Sequence, residues 1–590
     1  MEDRVHAGGS AEPKSNLCFG PFELDLRRGE LRKKGRRIRL QEQPFQILRM
    51  VLESPGEVVS REENRKRLWP DETVVEFDHS INAAIKRLRD ALRDSADNPR
   101  YIKTLARRGY RFIGQLKPAP ASPGVAITPS IAVLPFANLS GDKENEYFSD
   151  GLAEEILNNL ARASGLKVIA RTSAFAFKGK QEDIRKIAAA LGVTNVLEGS
   201  VRRAGGRIRV VAQLIAAADG SHLWSERYDR EMADIFAIQD EIARAISTAL
   251  EVQFSAVKLY RPQLPAYEAY LKARYCVAAF TRESLPLSKD FYERSIALDP
   301  GFVEARSGLA VAIIASVLPG LSPAREAMPQ ARAAAQSALD LDPHSEEAHG
   351  ALGMIASGYE LDRKEAEHQF QIATAREPVP TYVRWYYSMY LLLAGRPRES
   401  AEQCLRGLKD DPLSFMGHFH YAAALLAAGN DEAGEAELRE LCAIHSNLYQ
   451  PYYLLGLSQS LRGLHAEALT TAENAYALAP WHTGTTGLFA GALLRAGKRR
   501  HAEELLEKLL PEDRYGTPFG LLVHSLACAE IEPAANWAWK VLEQRDPRLI
   551  FITGLLRSPS HGLLWSSGSW SALAARLGIP LQVSEQSLAK

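Results

Sequence analysis

From about residue 265 onward the chain repeats itself. Helix-ending landmarks recur at Asp299-Pro300, Asp342-Pro343, Glu377-Pro378, Asp411-Pro412, His445-Ser446 and Ala479-Pro480, at intervals of 43, 35, 34, 34 and 34 residues. Alanine-rich apolar stripes run between them, so each interval holds one helix-turn-helix pair. A single pair cannot bury its own apolar face. The pairs must therefore stack into a solenoid in which each contacts its neighbours, with a concave inner surface. The long first interval carries an insertion, SVLPGLSPAREAMP. Trp385, Tyr386, His418 and His420 read as core or groove lining; His418 and His420 are two apart and do not share a helix face, which argues against a metal pair.

The 34-residue interval and its small-residue positions resemble the tetratricopeptide repeat (TPR). Within 449–480, Tyr452, Leu455, Gly456, Ala468, Ala472, Ala475 and Pro480 stand at that motif's positions. The resemblance implies a right-handed all-α superhelix over 265–550. The segment 551–590, with ALAARLGIP at 572–580 after a Ser/Gly-rich loop, is expected to cap it and form the tail.

A different pattern governs the N-terminal end. On a helix opening near Asp78, Ile81, Ile85, Leu88 and Leu92 form an apolar stripe, while His79, Asn82, Ala83, Lys86 and Arg87 point away. Such a basic outward face suits the major groove, although charged helix faces are often only solvated. Tyr101–Leu105 then alternates like a strand, Arg107-Arg108-Gly109 makes a turn, and Tyr110–Ile113 returns. Upstream, Phe45, Leu48, Val51 and Leu52 mark one helix, and Ser60 with Glu63 forms a capping box opening another. FGPFELDLRRGELRKKGRRIRL reads as short antiparallel strands.

Strands, three helices and a basic hairpin in this order resemble the α+β winged helix-turn-helix of OmpR/PhoB-type regulators over residues 17–115. The resemblance rests on VVSREE at 58–63, RLWP at 67–70, IKRLRDAL at 85–92 and RRGYRF at 107–112. It implies a recognition helix at 78–93, a preceding loop at 70–77 and a wing at 104–110. The DNA contacts it implies are His79, Asn82, Lys86, Arg87, Arg89, Thr104, Arg107 and Arg108. Ala83 and Ala84 stand where that family often has larger polar residues, which shifts expected specificity toward thymine methyl groups or DNA shape. Asn64 replaces a usually apolar residue.

Charge supports this placement. The zero net charge conceals 25 Lys+Arg against 18 Asp+Glu in residues 1–117, leaving 47 against 54 beyond. Excess positive charge lies where phosphates would be neutralised. Cys18, Cys276, Cys404, Cys442 and Cys528 are scattered without a CxxC, implying neither a disulfide framework nor a zinc site. No signal peptide and no run of about 18 apolar residues is visible, so no membrane contact and a cytoplasmic location are expected. The layout resembles CadC-like regulators, many of which place a membrane helix after the winged helix. Here the join, 116–129, is a Pro/Ala-rich linker.

Between linker and repeats, 130–252 alternates helices and strands. SIAVLPFANLSGD opens it, and VTNVLEGSVRRAGGRIRVVAQLIAAADG folds around a Gly205-Gly206 turn. An α/β sandwich is expected, and these phrases resemble the TolB N-terminal-like domain of bacterial regulators and some nucleotide cyclases. Trp224 reads as a packing aromatic and the pair Glu154-Glu155 as a wet helix face. The chain lacks HExxH, GxSxG, a phosphate-binding Walker loop and any zinc-spaced cluster, so no catalytic residues, cofactor or metal are expected.

The whole reads as a multidomain, one-component transcriptional regulator, not an enzyme. Its head would bind double-stranded promoter DNA, and its TolB-like and TPR regions would sense a signal or bind RNA polymerase or another protein. Self-association on DNA is expected, because one winged helix buries little surface. The rival reading is a TPR scaffold whose winged helix is not a specific DNA reader. A third, a hydrolase or cyclase partner, requires a ligand pocket in 130–252.

Overall fold

In the computed structural model the chain forms two compact units, Met1–Thr128 and Pro129–Lys590. The residues described are 16–25, 30–33, 36–38, 40–53, 55–68, 77–106, 108–114, 116–117, 128–253, 260–549, 552, 556 and 567–578. The loop expected at 70–77, apart from Phe77, and most of the linker lie outside them.

The first unit opens with an antiparallel meander, β1 (Asn16–Phe19), β2 (Phe22–Asp25), β3 (Glu30–Lys33) and β4 (Arg36–Ile38). Helix α1 (Glu42–Glu53), strand β5 (Val58–Ser60), helices α2 (Arg61–Leu68) and α3 (Phe77–Leu92), and strands β6 (Ile102–Leu105), β7 (Gly109–Phe112) and β8 (Leu116–Lys117) follow. β8 closes the first sheet beside β1, and β5, β7 and β6 form a second, three-stranded sheet. The anticipated stripes meet in one core: Ile81, Ile85, Leu88 and Leu92 of α3 and Leu48, Val51 and Leu52 of α1 are buried with Phe19, Tyr110 and Phe112. The capping box also forms. Ser60 N donates to Glu63 Oε2 at 2.7 Å and Glu63 N to Ser60 Oγ at 3.1 Å, and these bonds hold the Glu63 carboxyl below its usual range. Ala84 is a correction, since it is buried among the α3 stripe and leaves no polar position vacant toward DNA.

The second unit begins with strands β9 (Ser130–Val133) and β10 (Ala137–Asn138), helix α4 (Glu146–Leu160), strand β11 (Lys167–Val168) and helices α5 (Arg171–Phe175) and α6 (Ile184–Leu191). Strands β12 (Asn195–Ala204), β13 (Arg207–Ala216) and β14 (His222–Glu231) and helix α7 (Ile235–Ala249) complete an α/β layer structure. The sheet runs β11-β9-β12-β13-β14, with β10 also on β12; β11, β9 and β12 are parallel, and the hairpins β12-β13-β14 are antiparallel. Gly205-Gly206 is the hairpin turn expected, with Gly205 at φ +56° and Ala204 opposite Arg207. Helices α4 and α7 cover one face, and α6 covers the β9–β12 end of the other. Trp224 packs against the α4–α7 side.

The repeats form antiparallel helix pairs from Leu264–Ala279 to Ile531–Glu543. Gly395, Gly429, Gly463 and Gly497, 34 residues apart, each take φ between +75° and +82° at the turn between paired helices. Their spacing marks the period as clearly as the landmarks do. The 43-residue interval is taken up by helices Val303–Val317 and Ala324–Leu339 and the turn joining them. A last helix, Gly568–Arg576, inserts the fully buried Trp570, whose Nε1 donates to Ile531 O at 3.0 Å.

The α/β region and the repeats form one compact unit. Helix Leu264–Ala279 lies on α4, where Leu271 so closely covers Gly151 that a Cβ there would come within 2.6 Å. Gln239 Nε2 of α7 donates to Tyr267 OH at 2.7 Å, and Arg274 bridges to Glu154. The Glu154-Glu155 pair is therefore no wet face: Glu154 is 5% exposed and also pairs with Arg171 at 3.1 Å, and burial pushes the Glu155 carboxyl up to about 7. Farther along, Ser173 of α5 donates to Asp411 Oδ1 from N at 3.0 Å and from Oγ at 2.5 Å, and its Oγ accepts from Leu413 N at 2.8 Å. An aspartate recognised only as a repeat landmark thus anchors the α/β layer to the solenoid.

Candidate nucleic-acid interface

Helix α3 owes its orientation to the buried stripe, which leaves the opposite side to solvent. Asn82, Lys86 and Arg87 are exposed on that side, and Arg89 is half-buried toward the wing. Among the described residues Lys86 makes no hydrogen bond or ion pair, so its ammonium is free for a phosphate or a base edge. Arg87 Nη1 donates to Gln41 Oε1 at 2.5 Å, just ahead of α1.

Arg89 does something the sequence did not announce. Its Nη2 donates to Ile102 O at 2.9 Å and to Thr104 Oγ1 at 2.7 Å, tying the helix to the first wing strand. Asn82 Oδ1 likewise accepts from Tyr110 OH at 2.9 Å on the second wing strand. Helix and wing are thereby held as one unit, and Arg89, Thr104 and Asn82 position the interface as well as lining it. Asp94 completes the arrangement: its carboxylate accepts from the backbone N–H groups of Arg100, Tyr101 and Ile102 at 2.7, 3.1 and 2.9 Å. Gln41, Asp94 and Tyr110 are contributors that periodicity could not reveal, because their partners lie 46, 8 and 28 residues away.

At the wing tip the Arg108 side chain is exposed and, among the described residues, without a hydrogen bond or ion pair, while its backbone N donates to Leu105 O at 3.0 Å. Gly109 has φ +142°, and a Cβ there would meet Val59 O at 2.1 Å, so the close approach of β7 to β5 requires glycine as much as the turn does. Arg107 and the side chain of His79 lie outside the described residues. Lys103, exposed on β6, adds a cation that the wing reading passed over. The arrangement is a helix face and an adjacent loop tip, both cationic, whose spacing is set by buried apolar residues and by three helix-to-wing hydrogen bonds. Nothing in it resembles a nucleophile, base or metal cluster, and no group of three potential metal ligands occurs among the described residues.

Known proteins resemble the chain in the same places. Residues 35–112 match the family described as "Transcriptional regulatory protein, C terminal", and 127–245 match "HilA/YgeH-like transcriptional regulator, second domain". The transcriptional regulator HilA of Salmonella typhimurium is 24% identical over 571 residues, covering 91% of this chain and 98% of that protein. A protein named putative adenylate cyclase 3, from Rhizobium meliloti, is 42% identical over 256 residues, and the chain spans 43% of its length. The crystal structure of the Klebsiella pneumoniae RstA DNA-binding domain in complex with the RstA box is 29% identical and covers 17% of this chain and 97% of that one, with a TM-score of 0.16. The sequence matches support a DNA-binding transcriptional regulator with a winged-helix head, and the long run of helix pairs is TPR-like. No helix among the described residues is long and apolar enough to cross a membrane.

Proposed function

We propose that this winged-helix regulator is a one-component, sequence-specific DNA reader in which residues 17–115 bind promoter DNA and 116–129 act as a spacer. The α/β layer at 130–252, of TolB N-terminal type, and the repeats at 265–550, closed by 551–590, receive the input. The observation that carries this reading is the exposed face of α3, where Lys86 and Arg87 stand opposite a fully buried stripe and beside the Arg108 tip. The contacts assigned are His79, Asn82, Lys86, Arg87 and Arg89 in the groove, with Thr104, Arg107 and Arg108 in the wing. The solenoid's concave surface binds RNA polymerase or another protein, and two copies act together on DNA.

The test is selection of bound fragments from sheared genomic DNA by the full-length chain at two salt concentrations. A recurrent short motif, with affinity falling steeply as salt rises, supports the reading. Absence of enrichment, or binding indifferent to replacing Lys86 and Arg87 by Ala, favours a scaffold in which the head is not a specific reader.

A further inference from the structure

Strand β14 is ten residues long, lies at the end of the six-stranded sheet and has β13 as its one strand neighbour among the described residues. Long, open edge strands are usually shortened, bulged or covered, because their outward N–H and C=O groups pair with any strand that arrives. Here the phase of those groups can be read. Met232 N donates to Gly206 O at 2.8 Å, and the ladder continues as Arg230 opposite Ile208, Tyr228 opposite Val210 and Glu226 opposite Ala212. In an antiparallel ladder, hydrogen-bonded and non-bonded pairs alternate. The backbone groups of Glu226, Tyr228 and Arg230 therefore point inward to β13, and those of Ser225, Arg227, Asp229 and Glu231 point out.

The side chains along this edge alternate in sign: Glu226, Arg227, Asp229, Arg230. The side chains of Arg227 and Arg230 are exposed and have no ion pair or hydrogen bond among the described residues, whereas Asp229 is shared by Arg207 at 3.0 Å and Arg209 at 2.6 Å. Glu226 is exposed and accepts from Tyr228 OH at 2.8 Å.

We infer that β14 pairs antiparallel with β14 of a second copy, about a two-fold axis through Tyr228, joining two six-stranded sheets into one. Outward groups must face outward groups, so the axis has to fall on a residue and few registers exist. An axis on Arg227 sets arginine against arginine, one on Asp229 sets aspartate against aspartate, and one on Arg230 sets Asp229 against Glu231. An axis on Glu226 sets Arg227 against the neutral Ser225. With the axis on Tyr228, Arg227 faces Asp229 of the second copy and Glu226 faces Arg230, each twice by symmetry. That register matches every charge beside the axis, gives the unpaired arginines carboxylate partners and forms the outward backbone bonds of Arg227 and Asp229. Cross-strand opposite charges stabilise a sheet and like charges weaken it. An isologous contact of this kind closes at two copies. It rests on the proposed function in one respect: it supplies the association by which two heads act on one DNA.

The test uses the full chain without DNA, by sedimentation velocity across a micromolar concentration series. Glu226→Arg alone and Arg230→Glu alone each place like charges across the axis and are expected to raise the dimer dissociation constant about tenfold. The combined variant restores opposite charges and is expected to restore dimerisation. Glu226→Cys with Arg230→Cys is expected to give an oxidised, covalent dimer, because those positions face each other only in this register. A chain that stays monomeric and does not cross-link overturns the inference, as does a dimer indifferent to all three charge variants, in which case the alternating charges serve to keep the edge unpaired. DNA binding is read separately with Lys86 and Arg87 replaced by Ala: loss there with dimerisation intact bears on the head, and the converse bears on β14.

Discussion

Helices α3 and α4 are similar in sequence design and opposite in fate. Both have an apolar stripe and a charged outer face. In α3 the outer face stays in solvent and keeps Lys86 free; in α4 it is covered by helix Leu264–Ala279, so Glu154 is buried between Arg171 and Arg274. The amphipathic pattern tells which side of a helix meets its own core. It is silent about what later packs on the other side. A charged face is thus evidence for a nucleic-acid surface only after the rest of the chain has failed to cover it.

The contrast can be broken most strongly at α4. Arg274→Ala leaves the Glu154 carboxylate with one fewer partner in a closed environment, and a loss of about 3 kcal/mol is expected in urea unfolding of the full chain. A change within error would mean that the α4 face is wetter than its burial indicates. At α3 the prediction is the reverse: replacing Lys86 and Arg87 by Ala leaves stability unchanged and lowers DNA affinity about ten- to a hundredfold, with a shallower salt dependence. A drop in melting temperature without a change in binding would reverse the roles of the two helices.

A smaller effect sharpens the idea that the α/β layer and the repeats are one body. Ser173→Ala removes the hydroxyl that links Asp411 to Leu413 N and is expected to cost about 1–2 kcal/mol, read as weaker hydrogen-exchange protection on both sides of the contact. Protection lost on one side only would show that the contact does not couple them. The mildest prediction concerns pH. Burial raises the Glu155 carboxyl from 4.5 to about 7, so the folded chain holds a proton that the unfolded chain has released. Stability from this group is highest below about 4.5 and declines as pH rises toward about 7. Glu155→Gln should flatten that part of a stability–pH profile; an unchanged slope would assign it to other groups.

Much of the head could be read from residues alone, since its signals are local. The α3 stripe spans twelve residues, the capping box spans four, and the wing turn requires Gly109. What escaped was which candidate contacts face DNA freely and which tie the domain together. Arg89 looked like one more groove cation and proved to hold Thr104 and the Ile102 carbonyl. Ala84 looked like a substituted contact position and is core. Both errors share a cause: helical spacing assigns a face to within about a third of a turn, too coarsely to separate the edge of a face from its centre.

The repeats show the same division. Their existence and period follow from spacing, because 34-residue intervals, small residues and turn glycines act between neighbours in the chain. The continuity of the solenoid with the α/β layer does not. Ser173 and Asp411 are 238 residues apart, and Glu154 and Arg274 are 120 apart. No local preference encodes those meetings. A basic winged-helix head, an α/β region and a helical repeat array were all legible in the residues, since each depends on periodicity and short-range caps. That the last two are one body, that the acidic face of α4 is interior and that β14 has β13 as its one strand neighbour among the described residues came from the packing alone, because burial belongs to the surface left after distant segments have packed.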